Sequence, residues 1–211
     1  MTRTHLFVLT AALTASMGAQ AAAQSTKMTV RPESKVTLAG RSNVHDWACN
    51  SSTFSATIEL DSSYQSLPLT KVARPITKVA VTIPVRSLKC GKGKMDENMY
   101  KALKANEFPE ILYVLDSYEI DKSLTTADSF AARTIGDLTV AGQTRKVEIP
   151  ITVERNVGAM KGEGTLKLLM TDFGIKPPVA LLGTLRTKNE IEVKFHMLLD
   201  KAVVVALTQQ P

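Results

Sequence analysis

Residues 146–153 read KVEIPITV, and this stretch decides the class of fold. Its apolar residues occupy every second position: Val147, Ile149, Ile151 and Val153. A period of two is typical of a strand that turns one face to an apolar core and the other face to water. The stretch therefore predicts a strand of an antiparallel sheet with one wet face.

The same alternation recurs along the chain, at residues 79–85 and 190–199. Further strands are predicted at residues 35–40, 43–50, 53–60, 111–120, 133–141 and 163–171. Turn residues separate some of these strands, since Ala141-Gly142 predicts one short hairpin and residues 156–158 (NVG) predict another. The pattern predicts an all-β, antiparallel protein, and it leaves a barrel and a sandwich open.

Two prolines lie within predicted strands. Pro84 and Pro150 both fall on the outward phase of the alternation. Because proline cannot donate to a sheet ladder, each one predicts an edge position, a bulge or a bend.

One segment breaks the strand pattern: residues 91–116 read GKGKMDENMYKALKANEFPEILYVLD. Met95, Met99 and Leu103 are spaced at i, i+4 and i+8, which places them on one helical face. Pro109 forbids continuation of a helix. The segment predicts one short helix near residues 95–105 that plugs or covers part of the sheet.

The first 23 residues are predicted to be a signal peptide, followed by one domain at residues 24–211. Arg3 precedes a short apolar run, and small residues near positions 21–23 fit a cleavage site. An uncleaved anchor is the alternative, but the run is shorter than the 20 or so residues that a membrane-spanning helix needs. We expect a periplasmic protein.

The two cysteines, Cys49 and Cys90, both lie in the predicted exported part of the chain. Export places them where disulfides persist, so a Cys49–Cys90 bond is predicted. The alternative is a redox or metal pair, which the absence of a CxxC spacing disfavours.

The net charge is moderately positive. The formal charge of +6 falls to +5 without Arg3, and the basic residues are scattered over the chain. Nucleic-acid binding requires a concentrated basic stripe, so no nucleic-acid partner is expected. Transient contact with an anionic membrane surface is compatible with this charge.

Catalytic and metal chemistry find little support in the sequence. His45 and Asp46 follow Ser42, but neighbouring residues of a strand point to opposite faces and cannot pair as base and orienter. His196 lies on the outward phase of the last strand. The methionines at 95, 99, 160, 170 and 197 lack ligand spacing, so we expect core packing or an adaptable pocket wall and no metal site.

Four segments in order resemble the YceI family of exported lipid-binding proteins. They are Ser42-Asn43-Val44-His45-Asp46-Trp47; Lys94-Met95-Asp96 with Met99, Ala102-Leu103-Lys104 and Phe108-Pro109-Glu110-Ile111; Leu138 to Val147 (LTVAGQTRKV); and Asp172 to Pro178 (DFGIKPP). The chain departs from the family at Cys90, where many relatives have a small polar residue. The resemblance covers essentially the whole predicted mature chain.

The resemblance implies an eight-stranded, lipocalin-like antiparallel barrel that holds a long isoprenoid or quinone-like lipid. It also implies a homodimer, and no cofactor other than the lipid. The apolar strand faces are expected to form the pocket wall, and the helix near one mouth of the barrel is a candidate gate. The expected pocket residues are Val81, Ile83, Met95, Met99, Leu103, Val147, Ile149, Phe195 and Met197. The predicted function is non-enzymatic binding, carriage or buffering of such a lipid, or of a fatty amide or acid, in the periplasm. The alternatives are a structural or stress-response barrel with a filled core and a lipid-acting hydrolase.

Overall fold

Residues 25–156, 159–180 and 184–201 are described by a computed structural model of the chain. The predicted signal peptide at residues 1–23, with its cleavage position, lies outside the described residues. So do residues 157 and 158 of the second predicted turn.

The described ranges form eleven strands and one α-helix. In chain order these are β1 (Ser25–Val30), β2 (Lys35–Ser42), β3 (Asp46–Ser51), β4 (Ser55–Asp61), β5 (Ile76–Pro84), α1 (Gly93–Ala102), β6 (Glu110–Asp121), β7 (Ser129–Val140), β8 (Gln143–Asn156), β9 (Ala159–Leu169), β10 (Val179–Ala180) and β11 (Leu185–Lys201). The predicted strands all correspond to elements of this set, with shifted ends. For example, the strand predicted from residue 43 starts only at Asp46, because residues 42–45 form the turn of the β2–β3 hairpin.

Eight of the strands form a closed antiparallel barrel. The order β1-β4-β5-β6-β7-β8-β9-β11 returns to its start because Met28 to Val30 of β1 pair with β11. The other end of β1 pairs with β4. Closure leaves no open edge in the ring, so the predicted eight-stranded antiparallel barrel is confirmed.

The β2–β3 hairpin extends the barrel wall at one end. β2 pairs with the part of β11 between Thr187 and His196. The same edge of β11 pairs with β1 from Leu199 to Lys201. On the far side of β3, Asn50 forms a bridge with Lys89. The adjacent residues Cys49 and Cys90 form a disulfide with their Cα atoms 3.9 Å apart. The predicted disulfide is therefore confirmed, and it ties the hairpin to the chain that enters α1.

The two prolines lie where hydrogen-bond ladders stop. Pro84 is the last residue of β5. Pro150 is paired with Arg133 of β7, whereas the β8–β9 pairing begins at the next residue, Ile151. Both positions tolerate a residue without an N–H donor.

The helix starts two residues earlier and ends three residues earlier than predicted. Its end is a Schellman motif: Lys104 has a φ of 52°, and the Ala105 N–H donates to the Tyr100 carbonyl at 2.9 Å. The Lys104 N–H donates to the Lys101 carbonyl at 3.1 Å. Pro109 therefore does not end the helix, because the left-handed residue at position 104 has already turned the chain.

The predicted Ala141-Gly142 hairpin is confirmed. Both residues have positive φ angles, 48° and 76°, as a two-residue type I′ turn requires. The ring of Phe108 packs on this turn, since a Cβ at Gly142 would lie 2.5 Å from its Cε1 atom. The β7–β8 hairpin is thus fastened to the chain that follows α1.

Candidate functional site: an apolar cavity inside the barrel

The barrel encloses a cavity of about 380 Å³. Strands β4–β9 and β11 of the ring, together with β2, β3 and α1, contribute side chains to its wall. The wall is almost entirely aliphatic, aromatic or thioether in character. A volume of this size and an apolar lining with few polar groups are typical of small-molecule sites.

Strand alternation produces this lining. In β8, Ile149 and Val153 are buried and face inward, whereas Glu148 and Thr152 are exposed. In β11, Ile191 and Met197 line the cavity, and the residues between them alternate in the same way. A closed barrel collects the inward faces of all its strands into one space.

Eight of the nine predicted pocket residues line the cavity. These are Val81, Ile83, Met95, Met99, Leu103, Ile149, Phe195 and Met197. Val147 is buried in the core but does not line the cavity. Contact of these side chains with a ligand stays a prediction.

The methionines are the most adaptable part of the wall. The five methionines that were expected to form core or pocket wall, at positions 95, 99, 160, 170 and 197, all line the cavity. They come from α1, β9, the turn after β9 and β11, so only the tertiary fold collects them. Unbranched, polarisable thioether side chains fit irregular apolar shapes.

Two inward-facing glycines of β9 shape the space. A Cβ built at Gly162 would meet no atom within 4 Å, so the cavity is open at that point. A Cβ at Gly164 would lie 2.5 Å from Cζ of Phe195, so the ring already occupies that place. The apolar alternation in the sequence did not identify either glycine, because glycine has no apolar side chain to contribute to the pattern.

Helix α1 covers one end of the cavity. Met95, Met99 and Ala102 line the cavity, yet no residue between Gly93 and Ala102 is fully buried. The helix therefore lies over the barrel end and does not plug its interior. We call this end of the molecule the α1 end.

Polar contacts hold α1 to the disulfide segment. Asp96 accepts a hydrogen bond from the backbone N–H of Cys90 at 2.7 Å. The Tyr100 hydroxyl donates to the Leu88 carbonyl at 2.7 Å and accepts from Lys89 Nζ at 2.9 Å. This hydrogen bond to Tyr100 is the main cause that raises the pKa of Lys89.

The cavity reaches the surface at the α1 end. His45 and Asn98 both line the cavity and are exposed. The turn that carries His45 is fixed to β11, because the Asn43 N–H donates to the Arg186 carbonyl at 3.0 Å. Pro178, Leu185 and Thr187 also line the cavity.

Few polar groups interrupt the apolar wall. The Tyr113 hydroxyl donates to Thr134 Oγ1 at 3.4 Å, and Thr134 in turn donates to the Ile149 carbonyl at 2.9 Å. Burial raises the pKa of Tyr113, so this phenol is neutral at physiological pH. The indole Nε1 of Trp47 is buried and has no hydrogen-bond partner among the described residues.

The polar residues considered for catalysis serve other contacts. Ser42 Oγ donates to the His45 carbonyl at 2.8 Å and accepts from the His45 N–H at 3.0 Å, which stabilises the turn. Asp46 pairs with Arg41 at 3.4 Å. His196 Nδ1 lies 2.7 Å from Glu163 Oε1 on the outer face. This contact is the main cause that lowers the pKa of Glu163.

Within residues 25–156, 159–180 and 184–201, no three His, Cys, Asp or Glu side chains are grouped as metal ligands. The helix of this part of the chain is too short to cross a membrane. An outer groove of about 870 Å³ is larger than the cavity. Charged residues such as Lys35, Glu119 and Arg133 line it, so it suits an apolar tail less well than the barrel interior.

Comparison with solved structures gives the same fold. Burkholderia cenocepacia BcnA is 19% identical, with a TM-score of 0.65 over 81% of this chain and 99% of that protein. A polyisoprenoid-binding domain from Saccharophagus degradans, implicated in plant cell wall breakdown, is 10% identical. Its TM-score is 0.63 over 84% of this chain and 99% of the domain. The Campylobacter jejuni YceI protein is 15% identical, with a TM-score of 0.56 over 72% and 82% of the two chains.

Comparison with curated proteins gives no match. The model of the YceI-like domain, however, matches residues 28–199. This range includes every strand of the barrel except the ends of β1 and β11, together with α1 and both cysteines. The chain therefore belongs to the YceI-like domain family.

Proposed function

We propose that this protein binds a long apolar lipid inside its barrel and carries or buffers it in the periplasm. The observation that carries the proposal is the cavity of about 380 Å³ with its nearly continuous apolar wall. Membership of the YceI-like family and the fold shared with a polyisoprenoid-binding domain support the same function. A filled structural barrel, the first alternative, has no need of such a space.

The wall favours a flexible tail over a rigid ring system. Aliphatic and thioether groups dominate, and five methionines can adjust to branches. Burying ten methylene-sized groups contributes about 8 kcal/mol gross. Association costs roughly 4–15 kcal/mol, so only a tail of about this length or longer gains enough free energy from burial to bind. An isoprenoid or quinone-like lipid meets this requirement, and it would be the ligand in place of any other cofactor.

A periplasmic location accords with the Cys49–Cys90 disulfide, since such bonds persist in oxidising compartments. Two contacts support a non-enzymatic function: the Ser42 hydroxyl is engaged in a turn, and His196 faces outward beside Glu163. A hydrolase would require a nucleophile and a base in hydrogen-bond contact near the cavity. The homodimer implied by the family resemblance stays a prediction, which sedimentation analysis would check.

The α1 end is the part of the molecule that contacts a membrane when lipid is exchanged. Val44 is 70% exposed and Val179 is 59% exposed, and their neighbours Ser42 and Pro178 line the cavity. A Val44→Ser, Val179→Ser double variant should transfer lipid to anionic vesicles more slowly and keep its equilibrium affinity.

The decisive experiment is native mass spectrometry of the protein purified from its own periplasm, followed by organic extraction. A stoichiometric long-chain lipid would support the proposal. An empty protein that takes up no added lipid would overturn it. Lipid turnover that survives replacement of both His45 and His196 would exclude a histidine-based hydrolase as its explanation.

A further inference from the structure

Two hydroxyl side chains lie inside the apolar barrel, away from its opening. They are Tyr113 of β6 and Thr134 of β7, and both line the cavity. The other described lining residues with a hydroxyl, amide, imidazole or ammonium group belong to the α1 end or pair with charges outside the barrel: Ser42, His45, Asn98, Thr187 and Lys161. A hydroxyl in an apolar wall costs free energy unless it is well hydrogen-bonded.

The phenol ring of Tyr113 lies on the inner face of the barrel. A Cβ at Gly136 of β7 would lie 2.7 Å from the Cε2 and Cζ atoms of the ring, so the ring lies against the β7 backbone. The hydroxyl extends beyond Gly136 toward Thr134, two residues away on the same face of β7. Tyr113 keeps some exposed area although it faces inward. The exposed part of an inward-facing ring faces the cavity.

The Tyr113 hydroxyl has a donor that is poorly used. It lies 3.4 Å from Thr134 Oγ1, longer than the roughly 2.5–3.0 Å of an ordinary O–H···O hydrogen bond. Thr134 donates its own proton to the Ile149 carbonyl at 2.9 Å, so its position is fixed. Burial raises the pKa of Tyr113, so the phenol keeps its proton. A better acceptor inside the cavity would therefore gain this hydrogen bond.

We infer that Tyr113 donates a hydrogen bond to an uncharged oxygen acceptor of the bound lipid, partway along the barrel. This inference rests on the proposed function. A carbonyl oxygen fits best, because a phenol supplies one donor and no charge to balance a carboxylate or phosphate. Lys161, the lysine of the described wall, is paired with Glu154 and Glu163 and does not supply that charge. The ligand is thus a long-chain lipid with a ketone, quinone or ester carbonyl, and not a plain hydrocarbon.

The contact also sets the position of the carbonyl along the barrel. On β7, Leu138 belongs to the apolar cluster at the α1 end, which also contains Met99 and Leu103. Ala132 of the same strand belongs to the other apolar cluster. Thr134 lies between Leu138 and Ala132, so the carbonyl lies between the two clusters. Apolar parts of the lipid therefore extend from the carbonyl in both directions.

Tyr118 provides a matched control on the same strand. Its hydroxyl accepts from the Ile76 N–H at 3.0 Å and donates to the Ile76 carbonyl at 2.9 Å. Tyr118 does not line the cavity. Tyr113→Phe and Tyr118→Phe each remove one phenol hydroxyl and keep the ring, but only Tyr113→Phe removes a hydroxyl from the cavity wall.

The experiment compares 9-heptadecanone with heptadecane, two chains of equal length that differ in one carbonyl at the middle of the chain. Their affinities are measured by displacement of N-phenyl-1-naphthylamine from the full protein. We expect Tyr113→Phe to weaken binding of the ketone about tenfold, because the buried carbonyl loses its donor. Binding of heptadecane should change by about twofold or less, and Tyr118→Phe should leave both affinities within about twofold.

A second measurement reports on the carbonyl directly. The infrared stretching band of the ketone lies above the amide band of the protein, and a hydrogen bond lowers its frequency. With 9-heptadecanone bound, the band should lie at lower frequency in the wild type and in Tyr118→Phe than in Tyr113→Phe. This comparison holds even where a variant changes the overall affinity.

The outcomes separate the two proposals. Ketone binding that survives Tyr113→Phe, an equal loss for ketone and alkane, or a carbonyl band at the same frequency in wild type and Tyr113→Phe would overturn the contact with Tyr113 alone. An equal loss of ketone binding in Tyr118→Phe would likewise overturn it. Failure of both lipids to bind the wild type would overturn the proposed function as well.

Discussion

The ring of Phe195 occupies the space that a side chain at Gly164 would fill. A Cβ at Gly164 would lie 2.5 Å from Phe195 Cζ, and the two residues are direct partners in the β9–β11 pairing. Two residues earlier in β9, Gly162 has no such occupant. The same strand thus carries one glycine that is covered by an aromatic ring and one that leaves the cavity open.

Gly162→Leu should block the cavity without unfolding the barrel. The new side chain enters open space, so we expect at least a tenfold loss of lipid affinity and a stability change within about 1 kcal/mol. Displacement of a fluorescent probe and urea unfolding give the two quantities. Unchanged lipid binding with the leucine in place would show that the ligand does not occupy this part of the barrel.

Gly164→Ala should destabilise the protein even though it adds only one methyl group. The Cβ would lie 2.5 Å from Phe195 Cζ and 3.0 Å from the Pro150 carbonyl oxygen, so ring or strand must move. We expect a loss of about 1–3 kcal/mol in the free energy of unfolding. Gly162→Ala is the matched control, and equal stability of the two variants would contradict the packing described here.

Removal of the disulfide should reduce stability by about 4 kcal/mol on the chain-entropy model. Cys49 and Cys90 are 41 residues apart, and their bond restrains a loop of that length in the unfolded chain. A Cys49→Ser, Cys90→Ser double variant, compared with the oxidised protein in urea, measures the effect. Reductant should lower the stability of the wild type and leave the double variant unchanged.

Met99→Gln should accelerate lipid release more than it destabilises the barrel. Met99 lines the cavity from α1 and is partly buried, whereas Leu103 is 7% exposed and belongs to the core cluster. Leu103→Gln should therefore cost about 1–3 kcal/mol of stability. The rate of lipid release is measured as the transfer of a fluorescent lipid from the protein to vesicles. Lys101→Gln, on the exposed face of the helix, is the control. If Met99→Gln lowered stability and left release unchanged, α1 would be a structural cover and not a gate.

The Arg31–Asp200 pair should make barrel closure sensitive to acid. Arg31 Nε and an Arg31 terminal nitrogen donate to the two Asp200 carboxylate oxygens at 2.7 and 2.5 Å, next to the β1–β11 pairing. The hydrogen bond from Arg31 lowers the pKa of Asp200 in the folded protein. The stability that this ion pair contributes is therefore fully present above the ordinary aspartate pKa of about 3.9. It is lost as pH falls through the lower pKa that Asp200 has in the folded protein.

The matching measurement is the melting temperature of the wild type and Asp200→Asn between pH 7 and pH 3. Other carboxylates with lowered pKa, such as Glu163 and Asp61, weaken both proteins in acid. The difference between the two proteins isolates Asp200, and it should shrink as pH falls. A difference that stays constant over this interval would exclude the ion pair as a source of pH dependence.

Local patterns predicted much of this architecture. Alternation in residues 146–153 and 190–199 placed strands correctly, because the period of two arises from backbone geometry within one segment. Ala141-Gly142 predicted a hairpin for an equally local reason, since its backbone needs two positive φ angles. The helix was predicted, but its end was not, because the Schellman turn at Lys104 leaves no signal as strong as Pro109.

Other features depend on segments that are distant in sequence. The shared edge of β11, the open space at Gly162 and the unpaired donor of Trp47 arise only when β1, β2, β3, β9 and β11 meet. Alternation along a strand states which side chains face inward, but not whether their volumes fill the space they enclose. The difference between the enclosed volume and the volume of the inward side chains depends on all the strands of the closed barrel. Periodicity therefore predicted the residues of the wall, and only the assembled barrel revealed the cavity.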